Sequence, residues 1–96
     1  AKNIVSLLVS ENALPEGCAL LSFTIEGKNG HADMNNAYGD AITLTGTAGE
    51  YMRVGCLVNT LLVFYDLDTI TLTVEGQTIT TGHVIYDSPL RFYENF

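Results

Sequence analysis

The chain has no tryptophan, two cysteines, two prolines and only four lysines plus arginines in 96 residues. Each scarcity removes a class of function. Cys18 and Cys56 lack the close spacing of zinc ligands, so a structural metal site is excluded. Packed free thiols are the expectation, with a bridge between them open only to an exported protein. Against the four basic residues stand eleven acidic ones, giving a net charge of −7. Without a basic patch, counterion release cannot drive binding to nucleic acid. Anionic membranes and wall polymers are repelled for the same reason, whereas a protein with a basic surface is attracted. A long hydrophobic run is missing too. The longest, Val54 to Tyr65, has 12 residues and contains Asn59, whereas a bilayer-crossing helix needs about 20. Membrane attachment is therefore expected only through an anchor outside this chain.

What is present suffices for one small folded domain. The hydrophobic fraction of 47% supports a core and argues against disorder. Ile4, Val5, Leu7 and Leu8 suggest a short helix that stops before Leu14-Pro15, since a residue preceding proline is pushed out of the helical region. Leu21, Phe23 and Ile25 then alternate with Ser22, Thr24 and Glu26, the period of a strand with one wet face. "GKNG", Gly27 to Gly30, reads as a hairpin turn in which Asn-Gly supplies positive φ. His31 to Asn35 returns as the second strand. "NNAYGDAITLTG", punctuated by Gly39 and Gly46, reads as a loop with at most one helical turn over Ala37 to Ile42.

The clearest element begins at Thr47. Thr47 and Glu50 have the spacing of a capping box. Val54, Leu57, Val58, Leu61 and Tyr65 follow at helical intervals and mark one buried stripe. Ile70, Leu72 and Val74 next alternate with three threonines, and Glu75-Gly76 turns the chain back through Gln77 to Thr80. The segment "VIYDSPLRFYENF" is expected at the sheet's edge, where Pro89 need not donate to a ladder. The fold class is α+β, with about four strands in an antiparallel or mixed sheet and two helices on one face.

Catalytic equipment is hard to find. His83, Asp87 and Ser88 lie close in sequence, but in a strand His83 and Asp87 sit about 13 Å apart at roughly 3.3 Å per residue. Catalytic hydrogen bonds need about 2.6–3.2 Å. Ser88 also lacks the Gly-x-Ser-x-Gly elbow of a nucleophile. His31 and Asp33 share a strand face without a third metal ligand nearby in sequence. The acidic start of "DLDTITLTVEGQ" fails as a calcium loop, because Gln77 stands where the clamping glutamate belongs. Phe92, Tyr93 and Phe96 suit core or edge packing better than an interface. No cofactor is expected.

Three stretches together resemble a known family. "LPEGCALLSFTIEGKNGHADM", "LVNTLLVFYDLDTITLTVEGQTI" and "HVIYDSPL" are similar, in order and spacing, to the GerMN domain of sporulation and spore germination in Gram-positive bacteria. The likeness runs from Ile4 to Leu90 and treats residues 1–96 as a single domain. It implies a non-enzymatic, extracytoplasmic interaction or assembly domain, often in membrane-anchored lipoproteins and similar to ring-building motifs. It also implies partners in the envelope, self-association among them, and supplies no active-site residues. Members of the family usually carry a strand ahead of the first helix, whereas this sequence starts at or just before that helix; a missing strand would leave one sheet edge open. The expected contact face is the polar side of the sheet, Ser22, Thr24, Thr71 and Thr73. The alternative reading is a wall-polymer-binding module or a small hydrolase using His83 and Asp87.

Overall fold

The computed structural model describes residues 2–82 and 84–94. Helix α1 (Lys2–Ser10) leads into strands β1 (Leu20–Glu26) and β2 (Asn29–Met34). Helices α2 (Asn36–Thr43) and α3 (Thr47–Tyr65) follow, then β3 (Thr69–Val74) and β4 (Gln77–Thr78). The strands form one sheet in the order β1-β2-β3-β4. β1 and β2 are antiparallel, β2 and β3 parallel, and β3 and β4 antiparallel. The parallel pair needs a crossover, which α2 and α3 supply. The expected α+β class with a mixed, four-stranded sheet is what the structure has.

Alternation along the strands sorts side chains to two faces. Ala32, Met34, Ile70 and Leu72 are fully buried and form one core with Val54, Leu57, Val58 and Leu61 of α3. The helical stripe read from the sequence is thus the buried face, with Tyr65 packed at its margin. Ile4 and Val5 of α1 and Leu14 of the following loop close the same core.

The hairpin is present, although other residues make its turn. Glu26 pairs with Asn29, so the loop is Gly27-Lys28, and Gly27 carries the positive φ of 62°. Asn29 and Gly30 belong to β2. Gly30 is needed there because a Cβ would stand 2.9 Å from both Ile70 Cδ1 and Leu67 Cδ1. β1 also departs from simple alternation. A bulge between Leu20 and Ser22 buries Leu20 and turns Leu21 outward.

The region expected as a loop contains helix α2, so three helices and not two pack on the sheet. Asn35 caps it, its Oδ1 accepting the Tyr38 N–H at 3.2 Å. The same side chain accepts from Ala19 N–H and donates to the Gly17 carbonyl at 2.8 Å, tying the helix start to the loop before β1. Tyr38 and Ile42 are fully buried beneath the helix. Gly39 sits inside α2 because the helix lies close on β3, where a Cβ would come within 3.2 Å of Val74 Cγ1. Gly39→Ala should be nearly neutral, since about 1 kcal/mol of helix propensity offsets the tight contact. Gly39→Val should cost about 2 kcal/mol by overpacking. Urea unfolding midpoints distinguish the two.

The capping box does not form. Gly46 takes the N-cap position with extended backbone (φ −71°, ψ 172°) and no side-chain cap, which places Thr47 inside the first turn. Glu50 turns inward to the core instead of reaching back. At its other end α3 stops at Asp66, in the left-handed region at φ 55°. The segment after β4 runs at the sheet's edge as expected: Leu90 pairs with Ile70, and Ile85 with Thr80.

Candidate functional site

The face of the sheet opposite the helices is polar across its width. Registered neighbours put Ser22, Asp33, Thr73 and Thr78 in one row that spans all four strands. Thr24, His31 and Thr71 make a second row, and Glu26, Asn29 and Thr69 a third. The expected residues Ser22, Thr24, Thr71 and Thr73 therefore share one surface. Ser22 and Thr24 are exposed, while Thr71 and Thr73 are half-buried among their neighbours.

Hydrogen bonds fix that surface. The Thr73 hydroxyl donates to Asp33 Oδ1 at 2.6 Å, and the Gly76 N–H donates to the same oxygen at 2.8 Å. His31 Nε2 lies 2.9 Å from Thr73 Oγ1. Because the threonine has one proton and gives it to the carboxylate, Nε2 must be the donor in this contact. Thr69 donates to Asn29 Oδ1 at 2.7 Å. In this chain of contacts the hydroxyl stands between acid and imidazole. A nucleophilic triad requires the imidazole in the middle. The arrangement orders a surface and activates no nucleophile.

The other sites considered in the sequence can be followed only through their described residues. His83 lies outside the described residues, as does Phe96. Asp87 is exposed, with the Ser88 hydroxyl 3.5 Å from its Oδ1. Among the described residues no group of three His, Cys, Asp or Glu side chains could hold a metal ion. Cys18 and Cys56 are free thiols, and burial raises the pKa of both, which keeps them protonated. Tyr93 packs beside Tyr51 with ring centroids 5.0 Å apart, whereas Phe92 is exposed.

One polar centre escapes the sequence reading. Glu50, 3% exposed, accepts hydrogen bonds from Tyr86 Oη at 2.5 Å and from Thr81 Oγ1 at 3.0 Å. Burial is the largest cause raising the Tyr86 pKa, and the Glu50 carboxylate adds to it. A recess of about 130 Å³ opens here between Thr47, Tyr51, Val84 and Tyr93, well under the roughly 300 Å³ of a small ligand pocket. Glu50 fastens the terminal segment to α3, together with Asn59, whose amide exchanges two hydrogen bonds with the Tyr93 backbone at 2.9 and 2.7 Å. Thr47 and Glu50 pointed to the right place for the wrong reason: the spacing fitted a cap, and burial made it an anchor.

No helix among the described residues is long and apolar enough to cross a membrane. The chain's fold matches a crystal structure of a Clostridium perfringens protein that carries a provisional lipoprotein designation. The TM-score is 0.70 at 16% sequence identity, over 94% of this chain and 68% of that one. None of the curated proteins matches in sequence. A family model described as "Sporulation and spore germination" matches residues 1–80, reaching from α1 to just past the end of β4. With most of its length matched, this chain belongs to the Germane family of sporulation and spore germination.

Proposed function

We propose that the chain is a non-enzymatic assembly domain of an extracytoplasmic envelope lipoprotein, and that it binds a protein partner through its polar sheet face. The carrying observation is the wide hydroxyl-rich surface, left uncovered by any helix among the described residues and held in place by the Asp33–Thr73–His31 contacts. A face fixed before binding loses little conformational freedom on docking. Its acidic balance favours a basic partner surface over phosphate or anionic polymer. The family's description names a developmental process and no reaction, which agrees with an assembly role.

Envelope extract passed over the immobilised protein tests the reading. Thr71→Glu places a charge mid-face, and Thr73→Val removes the bridging hydroxyl while conserving shape. Together they should reduce specific capture at least about tenfold, the equivalent of roughly 1.4 kcal/mol. Their melting curves should stay close to wild type. Undiminished capture by a folded double variant rejects the face.

A further inference from the structure

Aromatic rings crowd the recess beside Glu50. Three of the chain's five tyrosines, Tyr51, Tyr86 and Tyr93, line it together with Glu50, and Val84 and Leu90 complete the apolar wall. Its depth is graded. Glu50 and Tyr86 are 3% and 5% exposed at the floor, whereas Tyr51 and Val84 are 41% and 43% exposed at the mouth. The Tyr51 and Tyr93 rings are tilted by 57° at a centroid separation of 5.0 Å, so they meet as adjoining walls and do not stack as one plate. Two hydroxyls are committed to the protein: Tyr51 Oη donates to the Glu94 carbonyl at 2.7 Å, and Tyr86 Oη donates to Glu50 Oε2. What the rings offer the recess is therefore mainly carbon surface.

Rings set around a carboxylate select one kind of occupant. The ring quadrupole attracts a cation within about 6 Å of its centroid, and a carboxylate in a poorly solvated floor adds the pull of a full charge. Both repel an anion, and a neutral apolar group gains from the rings alone. The start of α3 contributes a partial positive charge of about half a unit, which one carboxylate outweighs. Among the described residues, no lysine or arginine lines the recess. Lys28 and Arg53 are engaged elsewhere, with Asp66 and the Ala41 carbonyl. The net charge of −7 draws cations towards the molecule as a whole.

Size narrows the choice. The recess holds about 130 Å³, equal to about four water volumes at roughly 30 Å³ each. That is too little for a whole metabolite and enough for one headgroup. A bare metal ion or a primary ammonium needs several oxygen acceptors to replace its water, and walls of carbon supply few. Methyl groups on the nitrogen remove that need and spread the charge over an apolar surface that suits the rings. We propose that the recess binds a quaternary, methylated ammonium headgroup, held by Tyr51, Tyr86 and Tyr93 over the Glu50 carboxylate. This inference stands apart from the polar-face reading, because every lining residue belongs to α3 or to the segment after β4 and none to the sheet.

Choline is the probe. Its neutral carbon analogue, in which a tert-butyl group replaces the trimethylammonium, has the same shape without the charge. Titrations are followed by the NMR shifts of tyrosine ring protons, at an ionic strength held constant with sodium chloride. Choline should saturate with a Kd on the order of 1 mM, and the neutral analogue should bind at least about tenfold more weakly. Tyr51→Phe and Tyr51→Leu both lose the bond to Glu94, but only phenylalanine keeps a ring. The phenylalanine variant should bind choline within about twofold of wild type, and the leucine variant about fivefold more weakly. Glu50→Gln, assayed well below its own melting temperature, should weaken binding about tenfold. Trimethyl-lysine in place of choline identifies the source: tighter binding assigns the headgroup to a protein side chain, and weaker binding assigns it to a free solute. Four results each overturn the proposal: no saturable shift with choline, equal binding of choline and its neutral analogue, equal binding by the two Tyr51 variants, or undiminished binding by folded Glu50→Gln.

Discussion

Glu50→Ala should lower the melting temperature by roughly 15 °C, corresponding to about 3 kcal/mol in a domain of this size. The carboxylate is nearly inaccessible and serves two donors from the terminal segment. Truncation leaves the buried Tyr86 hydroxyl without this acceptor, and a buried donor left unpaired costs about 1–3 kcal/mol. Thr81 suffers less, because its hydroxyl also lies 3.4 Å from the Val84 carbonyl. The space vacated beside Tyr86 and Tyr93 adds a packing loss. Glu50→Gln keeps one acceptor oxygen and should recover about half of the effect, whereas Tyr86→Phe should cost about 1.5 kcal/mol. Thermal melts followed by circular dichroism give the order of the three. If all three melt with wild type, Glu50 is not an anchor.

The second large effect is expected in alkali. Tyr38 is fully buried, and its pKa is raised well above the ordinary value, first by desolvation and then by neighbouring ionisable groups. Tyr86 and Tyr93 are shifted the same way, each chiefly by burial. In the unfolded chain a tyrosine ionises near pH 10. Above that pH the unfolded state sheds protons that the folded state retains, so stability falls as pH rises. The contribution is complete below the unfolded pKa and declines through the alkaline range towards the folded values. Tyr38 alone should remove about 1.4 kcal/mol per pH unit above roughly pH 10, with Tyr86 and Tyr93 steepening the decline. Urea titrations at pH 9, 10 and 11 measure the slope. Tyr86→Phe should make it shallower while Tyr38 keeps it sloping, and a stability independent of pH across that range would refute the assignment.

The elements that were legible in the sequence are those in which one strong periodicity dominates. Val54, Leu57, Val58 and Leu61 repeat at helical spacing, and Ile70, Leu72 and Val74 alternate against threonines, so α3 and β3 could be placed before any coordinates. The polar face followed directly, since the partner of an alternating apolar set is an alternating polar one. α2 was hidden because its two buried residues, Tyr38 and Ile42, are too few to show a period, and Gly39 reads as a breaker. The reason for that glycine, the nearness of Val74, is a tertiary fact. The bulge at Leu21 and the parallel pairing of β2 with β3 are equally non-local. Glu50 is not legible as an anchor, because a glutamate three residues after a threonine carries a local meaning that the core overrides.

Asn59 bears on how the last stretch of chain is tethered. A carboxamide is a peptide group in miniature, and here it offers its N–H and its oxygen to the main chain of residue 93 as a neighbouring strand would. Tyr51 does likewise through the Glu94 carbonyl at 2.7 Å. Both grips fall on atoms that nearly every amino acid possesses. The course of that stretch is therefore dictated by the helix beneath it, and most side chains borne along it are left free to change.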